Sequence, residues 1–218
     1  MRKTLFVLMM LFVAISATNA QGAIDLNLIK ETVQNEKEYF NDILNIYLND
    51  DPYLRNDDVA LVYYGQAYTP SYKAGNDPNE ESLKSYVSEN NYNKIYSTAK
   101  KILDYNPVSL NALFYAWRSS DVLGKAESET TSYVSKYLAI LEMITTVNDG
   151  KSSSTAFRVI TPDDQDHIMY GIMDIENIKS RNFDTETLCN IINVEPSKKF
   201  TATTMYIDVS IPLTHSSR

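Results

Sequence analysis

The chain has 218 residues and a formal net charge of −8, a length that suffices for one well-buried domain or two small ones. An acidic chain with no basic cluster longer than the pair Lys100-Lys101 is a poor candidate for binding nucleic acid. Its single cysteine, Cys189, cannot form an internal disulfide, so packing alone has to stabilise the fold.

The first 20 residues have the order that is typical of a secretory signal peptide. Arg2 and Lys3 precede an unbroken apolar run over residues 5–15, and Thr18 and Ala20 occupy the two positions that a signal peptidase reads. The run is too short to span a bilayer comfortably, and an uncleaved membrane anchor is the alternative. We therefore expect cleavage after Ala20 and a periplasmic or secreted mature protein without a membrane span.

Apolar residues then recur at helical spacing over most of the region from residue 24 to residue 144. Two helical pieces are predicted within residues 24–48 and a short helix over residues 80–87. A helix over residues 58–68, capped by Asn56 or Asp57, is apolar on nearly every side, which predicts a central position.

Two helices joined at Pro107 form the clearest part of the pattern. Tyr92–Leu103 carries one apolar stripe, and a second helix runs from Leu110 to a stop at Gly124. Helices so joined lie antiparallel and share a core. The two stripes predict that four residues are buried together: Leu103, Leu113, Phe114 and Trp117.

A long amphipathic helix through Tyr133 and Ile144 follows, and after Gly150 the period changes. Strands are predicted over residues 156–160, 188–194 and 203–209, a short helix over 163–171, and a frayed tail over 214–218. Helices followed by strands predict a mainly helical α+β fold, with antiparallel helix hairpins and then a small C-terminal β-sheet with a short helix. The expected organisation is a signal peptide (1–20), a helical region (21–150) and a C-terminal α+β region (151–218) packed on the helices as one domain.

Two resemblances accompany this prediction. Asp104-Tyr105-Asn106-Pro107, the helix from Leu110 and the stop at Gly124 resemble the layout of tetratricopeptide-type repeats over about 35 residues. Trp117 stands where those repeats have a small residue and Ser120 where they have a tyrosine, and no second copy is visible. The resemblance implies paired helices rather than a regular solenoid.

The second resemblance covers nearly the whole mature chain. Val62-Tyr63-Tyr64-Gly65 followed by Tyr68, Pro70 and Tyr72 is similar to the tyrosine-tyrosine-glycine and proline-x-tyrosine hallmark of a secreted family from Gram-negative gut bacteria whose function is unknown. Asn148-Asp149-Gly150 and Met205-Tyr206-Ile207-Asp208-Val209 match it too, whereas Asp164-Gln165-Asp166 stands where that family has an acidic-acidic-tyrosine triplet. The resemblance implies a single exported domain and no particular activity.

The residues that could carry catalysis form no recognisable motif. The six glycines build no phosphate-cradling loop, and with His167 and His215 as the only histidines there is no paired-histidine zinc motif. A catalytic serine or Cys189 would need His167 as its base, and no local pattern supports that. Whether the protein is an enzyme is left open, and the pattern favours a non-catalytic role.

One acidic cluster could hold a cation: Asp163, Asp164 and Asp166, with His167, follow Pro162. The glycine and distal glutamate of a calcium loop are absent, so a helix cap is the favoured interpretation. We expect no metal and no cofactor.

The tyrosines provide the remaining candidate site. Tyr63 and Tyr64 can fill the core of the central helix, whereas Tyr68 and Tyr72 lie in an irregular segment that favours a wet surface. Three functions follow: a binding domain that holds a peptide or protein partner in a groove between helix pairs; a glycan-binding protein that uses Tyr68, Tyr72 and Tyr64; and a hydrolase without a recognisable motif.

Overall fold

The computed structural model describes residues 24–51, 53–75 and 77–216, and their fold is mainly helical α+β, as predicted. The predicted signal peptide lies outside the described residues. Seven helices come first, all at or near predicted positions. They are α1 (Leu26–Asn35), α2 (Lys37–Leu48), α3 (Asn56–Gln66), α4 (Pro78–Ser88), α5 (Tyr92–Leu103), α6 (Leu110–Val122) and α7 (Glu127–Val147).

The C-terminal region adds a mixed sheet and short helices. Its elements are β1 (Phe157–Arg158), α8 (Asp164–Asp166), a π-helix (His167–Ile172), β2 (Ile178–Asp184), β3 (Cys189–Val194), β4 (Thr204–Asp208) and α9 (Ser210–Ser216). The strand order is β1-β4-β3-β2, in which only β1 and β4 are parallel. Ile192 faces Met205 across β3 and β4, and both are fully buried.

Two of these elements are not predicted from the sequence. Strand β2 lies at the sheet edge and is mostly exposed, so burial imposes no apolar alternation on it. The second is α9, which is anchored in the core by Ile211 at 3% exposure. Because α9 continues to Ser216, the part of the predicted frayed tail from residue 214 to residue 216 is helical.

Helices α6 and α3 begin with different kinds of cap. Ser109 caps α6, since its hydroxyl accepts from the amide of Ala112 at 3.1 Å. The predicted cap of α3 by Asn56 or Asp57 is wrong. There the carboxylate of Asp58 reaches back to the amide of Arg55 at 3.1 Å and also binds its guanidinium.

Helix α3 is central, as predicted, with residues 58–66 all buried. Its apolar cluster includes side chains of the helices, such as Ile29 and Leu141, and of the sheet, such as Ile207. Gly65 allows α3 to approach α2 closely, because a Cβ at this position would lie 2.9 Å from the ring of Phe40. A second cluster joins α4, α5 and α6 around Leu83.

The prediction of one buried set on α5 and α6 is wrong for three of its four members. Leu113 is buried at 1% exposure, whereas Leu103, Phe114 and Trp117 are only partly buried. The rings of Phe114 and Trp117 pack edge to face, 5.8 Å apart, and the ring of Phe114 also lies 5.7 Å from that of His167 in the C-terminal region. None of the helices in the described ranges combines the length and the hydropathy needed to cross a membrane.

Candidate functional site

A cleft separates α4, α6 and α7 from the segment 161–172 of the C-terminal region. It encloses about 400 Å³ and is lined by four aromatic rings, those of Phe114, Tyr115, Tyr137 and Tyr170, together with polar side chains that include Lys84, Asn111, Asp163 and His167. A narrow extension of about 20 Å³ shares Asn111 and Asp163 with it and continues inward to Glu80 and Asp164. We call the larger cavity and this extension the cleft.

The π-helix His167–Ile172 forms one wall of the cleft. Such helices are rare and are often found at functional sites. The absence of a side chain at Gly171 allows a close approach, because a Cβ there would lie 2.5 Å from the hydroxyl of Tyr137. The π-helix therefore packs tightly on α7 while it directs His167 toward α6.

A chain of hydrogen bonds crosses the cleft from α7 to α4. The hydroxyl of Tyr137 lies 3.1 Å from Nδ1 of His167, and Nε2 of His167 lies 2.8 Å from Oδ1 of Asn111. The amide nitrogen of Asn111 donates to Asp163 at 3.2 Å and to Glu80 at 3.4 Å.

The direction of this chain determines the tautomer of His167. Because the nitrogen of Asn111 faces two carboxylates, its oxygen must accept, so Nε2 of His167 carries the proton. Nδ1 is then free to accept from Tyr137, and a neutral imidazole satisfies every group. Burial lowers the pKa of His167 to about 4, against the opposite influence of Asp166 and Asp163.

Two carboxyl groups lie beside this chain: Asp164 is buried and Glu80 is partly buried. Asp164 accepts from the hydroxyl of Tyr63 at 2.8 Å and from the amide of Thr161 at 3.0 Å. Burial raises its pKa to about 7, although these hydrogen bonds act in the opposite direction. Burial also raises the pKa of Glu80, whose carboxylate accepts from the hydroxyl of Ser109 at 2.7 Å.

The open part of the cleft has a different electrostatic character. Asp163 pairs with Lys84 at 2.7 Å, and Asp166 pairs with Arg181 at 3.3 Å. In the described part of the chain, no group of three or more histidine, cysteine, aspartate or glutamate side chains is placed to hold a metal ion. The arrangement offers fixed donors and acceptors beside aromatic rings, which suits a polar ligand with apolar faces.

The three predicted ligand-binding tyrosines lie elsewhere. Tyr64 is fully buried and donates to the carbonyl of Arg158 at 3.2 Å. Tyr68 and Tyr72 are partly buried, and both rings meet His215 of α9 edge to face, at 5.9 and 5.2 Å. The hydroxyl of Tyr72 donates to the carbonyl of Ile160. Tyr68 and Tyr72 are thus brought together, but not as a pair of exposed parallel rings.

Sequence reasoning missed most of the cleft. Asp163, Asp164, Asp166 and His167 are recognisable as a possible cation loop, but their partners Glu80, Asn111 and Tyr137 come from three different helices. Phe114 lies on a predicted apolar stripe, and its incomplete burial is what places it at a cavity. No local pattern marks these residues as neighbours.

A second cavity lies on another side of α7. An open groove of about 900 Å³ runs between α7 and the connection from α2 to α3, and Tyr47, Leu54, Val59 and Ala139 are among its lining residues.

Comparison with known proteins identifies a family. Residues 27–218 match the model of a family described as "Domain of unknown function (DUF4919)". No curated protein matches the chain, and no solved structure matches it.

Proposed function

We propose that this chain, which belongs to the family Domain of unknown function (DUF4919), is an exported, non-catalytic domain that binds a glycan in the cleft. The observation that carries the proposal is the joint lining of a 400 Å³ cavity by aromatic rings and by a fixed chain of polar groups. Sugars present apolar C–H faces to aromatic rings and hydroxyl groups to carboxylates and amides.

The aromatic part of the lining is available to a ligand. Tyr170 has 51% of its surface exposed, and Phe114 and Tyr115 are partly exposed with their rings 5.1 Å apart. The Tyr68 and Tyr72 surface is a weaker candidate because α9 packs against both rings through His215. The cleft is therefore a better candidate for the glycan site than the irregular segment that contains Tyr68 and Tyr72.

The polar part is held in place before any ligand arrives. Asn111 is fixed by His167, Asp163 and Glu80, and Asp163 is fixed in addition by Lys84. A preorganised site loses little conformational entropy when it binds.

The arrangement supports binding rather than hydrolysis. The carboxyl groups with raised pKa, Asp164 and Glu80, accept hydrogen bonds from Tyr63, Ser109 and Asn111 and line only the narrow extension. The carboxylates at the larger cavity, Asp163 and Asp166, are both paired with cations. A general acid would need its proton directed at the ligand.

Tyr170→Ala tests the proposal against a matched control. Maltohexaose, xylohexaose, cellohexaose and chitohexaose are titrated calorimetrically into the mature protein. We expect one of them to bind. Tyr170→Ala should weaken its binding about fivefold or more, since stacking on an aromatic ring contributes about 1 kcal/mol. Tyr39→Ala removes a tyrosine of similar exposure, 48%, on α2, and should leave the affinity unchanged.

Two results would contradict the proposal. If none of the four oligosaccharides binds, the glycan assignment is wrong. If new reducing ends appear during incubation, the protein is a hydrolase and not a binding domain.

A further inference from the structure

We infer that the groove between α7 and the α2–α3 connection docks a cationic, extended peptide segment of a protein partner. This surface is separate from the cleft. Lys136 faces the groove while the next residue on α7, Tyr137, faces the cleft, and consecutive residues of a helix point about 100° apart. The inference therefore does not depend on the glycan proposal.

The dimensions of the groove fit a peptide. Its lining on α7 extends from Glu127 to Glu142, which corresponds to about 22 Å at about 1.5 Å per residue. An extended chain covers that length with about seven residues at about 3.3 Å each. The groove volume, about 900 Å³, is at the upper end of the range for ligand pockets, about 300–1,000 Å³.

The floor of the groove is apolar. Tyr47 and Val59 are buried beneath it, and Leu54 and Ala139 are partly exposed along it. Several of the side chains that α7 contributes to the groove are short, such as Ser128, Ser132 and Ser135. A peptide backbone can approach this floor closely, and alternate side chains of an extended peptide would point into it.

The rim carries an excess of negative charge. Asp50, Asp51, Glu127 and Glu142 line the groove with one cation, Lys136. Lys136 is already engaged by the carboxylate of Asp50 at 2.7 Å and the carbonyl of Leu48 at 3.1 Å.

The other three carboxylates are not paired within the part of the chain that the structure describes. There, no ion pair joins Asp51, Glu127 or Glu142 to a cation. Complementary charge sets the choice of partner and accelerates association. An apolar floor with an uncompensated acidic rim therefore favours a peptide in which lysines alternate with leucines.

The test measures fluorescence anisotropy of a labelled eight-residue peptide of alternating lysine and leucine. A peptide with glutamate in place of lysine is the control. We expect the lysine peptide to bind and the glutamate peptide not to bind. Binding should weaken as salt rises, because exposed charges are screened beyond about 10 Å at about 0.1 M salt.

Two variants locate the binding. Asp51→Asn combined with Glu142→Gln removes rim charge, and Ser135→Tyr fills the groove without changing its charge. Each variant should bind the lysine peptide at least tenfold more weakly than the wild type does. The midpoint of its thermal unfolding should stay unchanged. The matched control, Glu89→Gln combined with Glu186→Gln, removes two exposed carboxylates elsewhere and should leave the affinity unchanged.

Three results would overturn the inference. Equal binding of both peptides would exclude charge recognition. If the rim double variant and the control double variant weakened binding equally, the effect would be due to the net charge of the protein and not to the groove. A concentration-dependent dimer that Ser135→Tyr abolishes would show that a second copy of the chain occupies the groove.

Discussion

Asp164 and His167 lie three positions apart, yet burial shifts their pKa values in opposite directions. The pKa of Asp164 rises to about 7 and that of His167 falls to about 4, because burial disfavours the charged form of either group. Unfolded aspartate and histidine titrate near about 3.9 and about 6.5. Between about pH 4 and 7, the folded state therefore keeps a proton on Asp164 that the unfolded state has lost. Between about pH 4 and 6.5, the unfolded state binds a proton on His167 that the folded state does not bind.

The two groups therefore have opposing effects on stability. Asp164 makes its full contribution to the free energy of unfolding below about pH 4, and this contribution is lost as the pH rises toward 7. His167 makes its full contribution above about pH 6.5, and this contribution is lost as the pH falls toward 4. Each can contribute at most about 1.4 kcal/mol per pH unit. Within this window the two slopes largely cancel.

Replacing Asp164 by asparagine should expose the slope due to His167. We expect Asp164→Asn to gain stability relative to the wild type as the pH rises from 4.5 to 7, measured by urea unfolding. Asp174→Asn changes an exposed aspartate with a positive φ of 51°, which asparagine tolerates, and should keep the wild-type profile. Parallel profiles for Asp164→Asn and the wild type would show that Asp164 ionises normally.

At the scale of the elements, the connection between α7 and β1 depends on Gly150. Its φ is +66°, its amide donates to the carbonyl of Thr155 at 2.8 Å, and its carbonyl accepts from Tyr206 at 2.8 Å. A Cβ at this position would lie 2.3 Å from the ring of Phe157. The junction thus combines a left-handed backbone with a close ring contact, and it attaches the sheet to the end of the helical region.

Comparing two glycines separates these requirements. Gly124 has a similar φ of +62°, but a Cβ at that position would meet no neighbouring atom within 4 Å. Gly124→Ala should therefore cost only the conformational penalty, about 1–2 kcal/mol. Gly150→Ala should cost about 1–3 kcal/mol more, the usual range for overpacking. The measurement is urea unfolding at neutral pH, and equal losses would show that Phe157 moves aside freely.

At the scale of the whole molecule, one apolar cluster joins the helical region to the sheet. Shared packing of this kind couples regions into one unfolding unit. Trp117, the only tryptophan, reports on α6, and Cys189, the only cysteine, is buried in β3 at 1% exposure. The two residues therefore provide separate probes of the two regions.

We expect one cooperative transition for both regions. Tryptophan fluorescence and thiol labelling of Cys189 should give the same midpoint in urea, with or without a chelator. Labelling of Cys189 at lower urea than the fluorescence change would show that the C-terminal region unfolds separately. A lower midpoint in the chelator would show that a bound metal stabilises the fold.

Some elements of this fold can be predicted from the sequence and others cannot. The helices α5 and α6 follow from apolar stripes and from Pro107, since helical periodicity is a local property. Strands β3 and β4 follow from apolar β-branched runs, whereas β2 is exposed and carries no such pattern. The cap of α3 could not be chosen from sequence, because asparagine, aspartate and a reciprocal contact from Asp58 all suit the same turn.

The sequence by itself determined the fold class, the central position of α3 and the family resemblance, because burial of apolar stripes leaves few other arrangements. Only the tertiary structure decided which polar residues meet. Glu80, Asn111, Tyr137 and His167 are far apart in the chain, and the packing of α4, α6, α7 and the π-helix brings them into one cleft. It also decided that Tyr64 lies in the core while Tyr170 is open to solvent. Exposure depends on what the rest of the chain covers, and no local pattern encodes that.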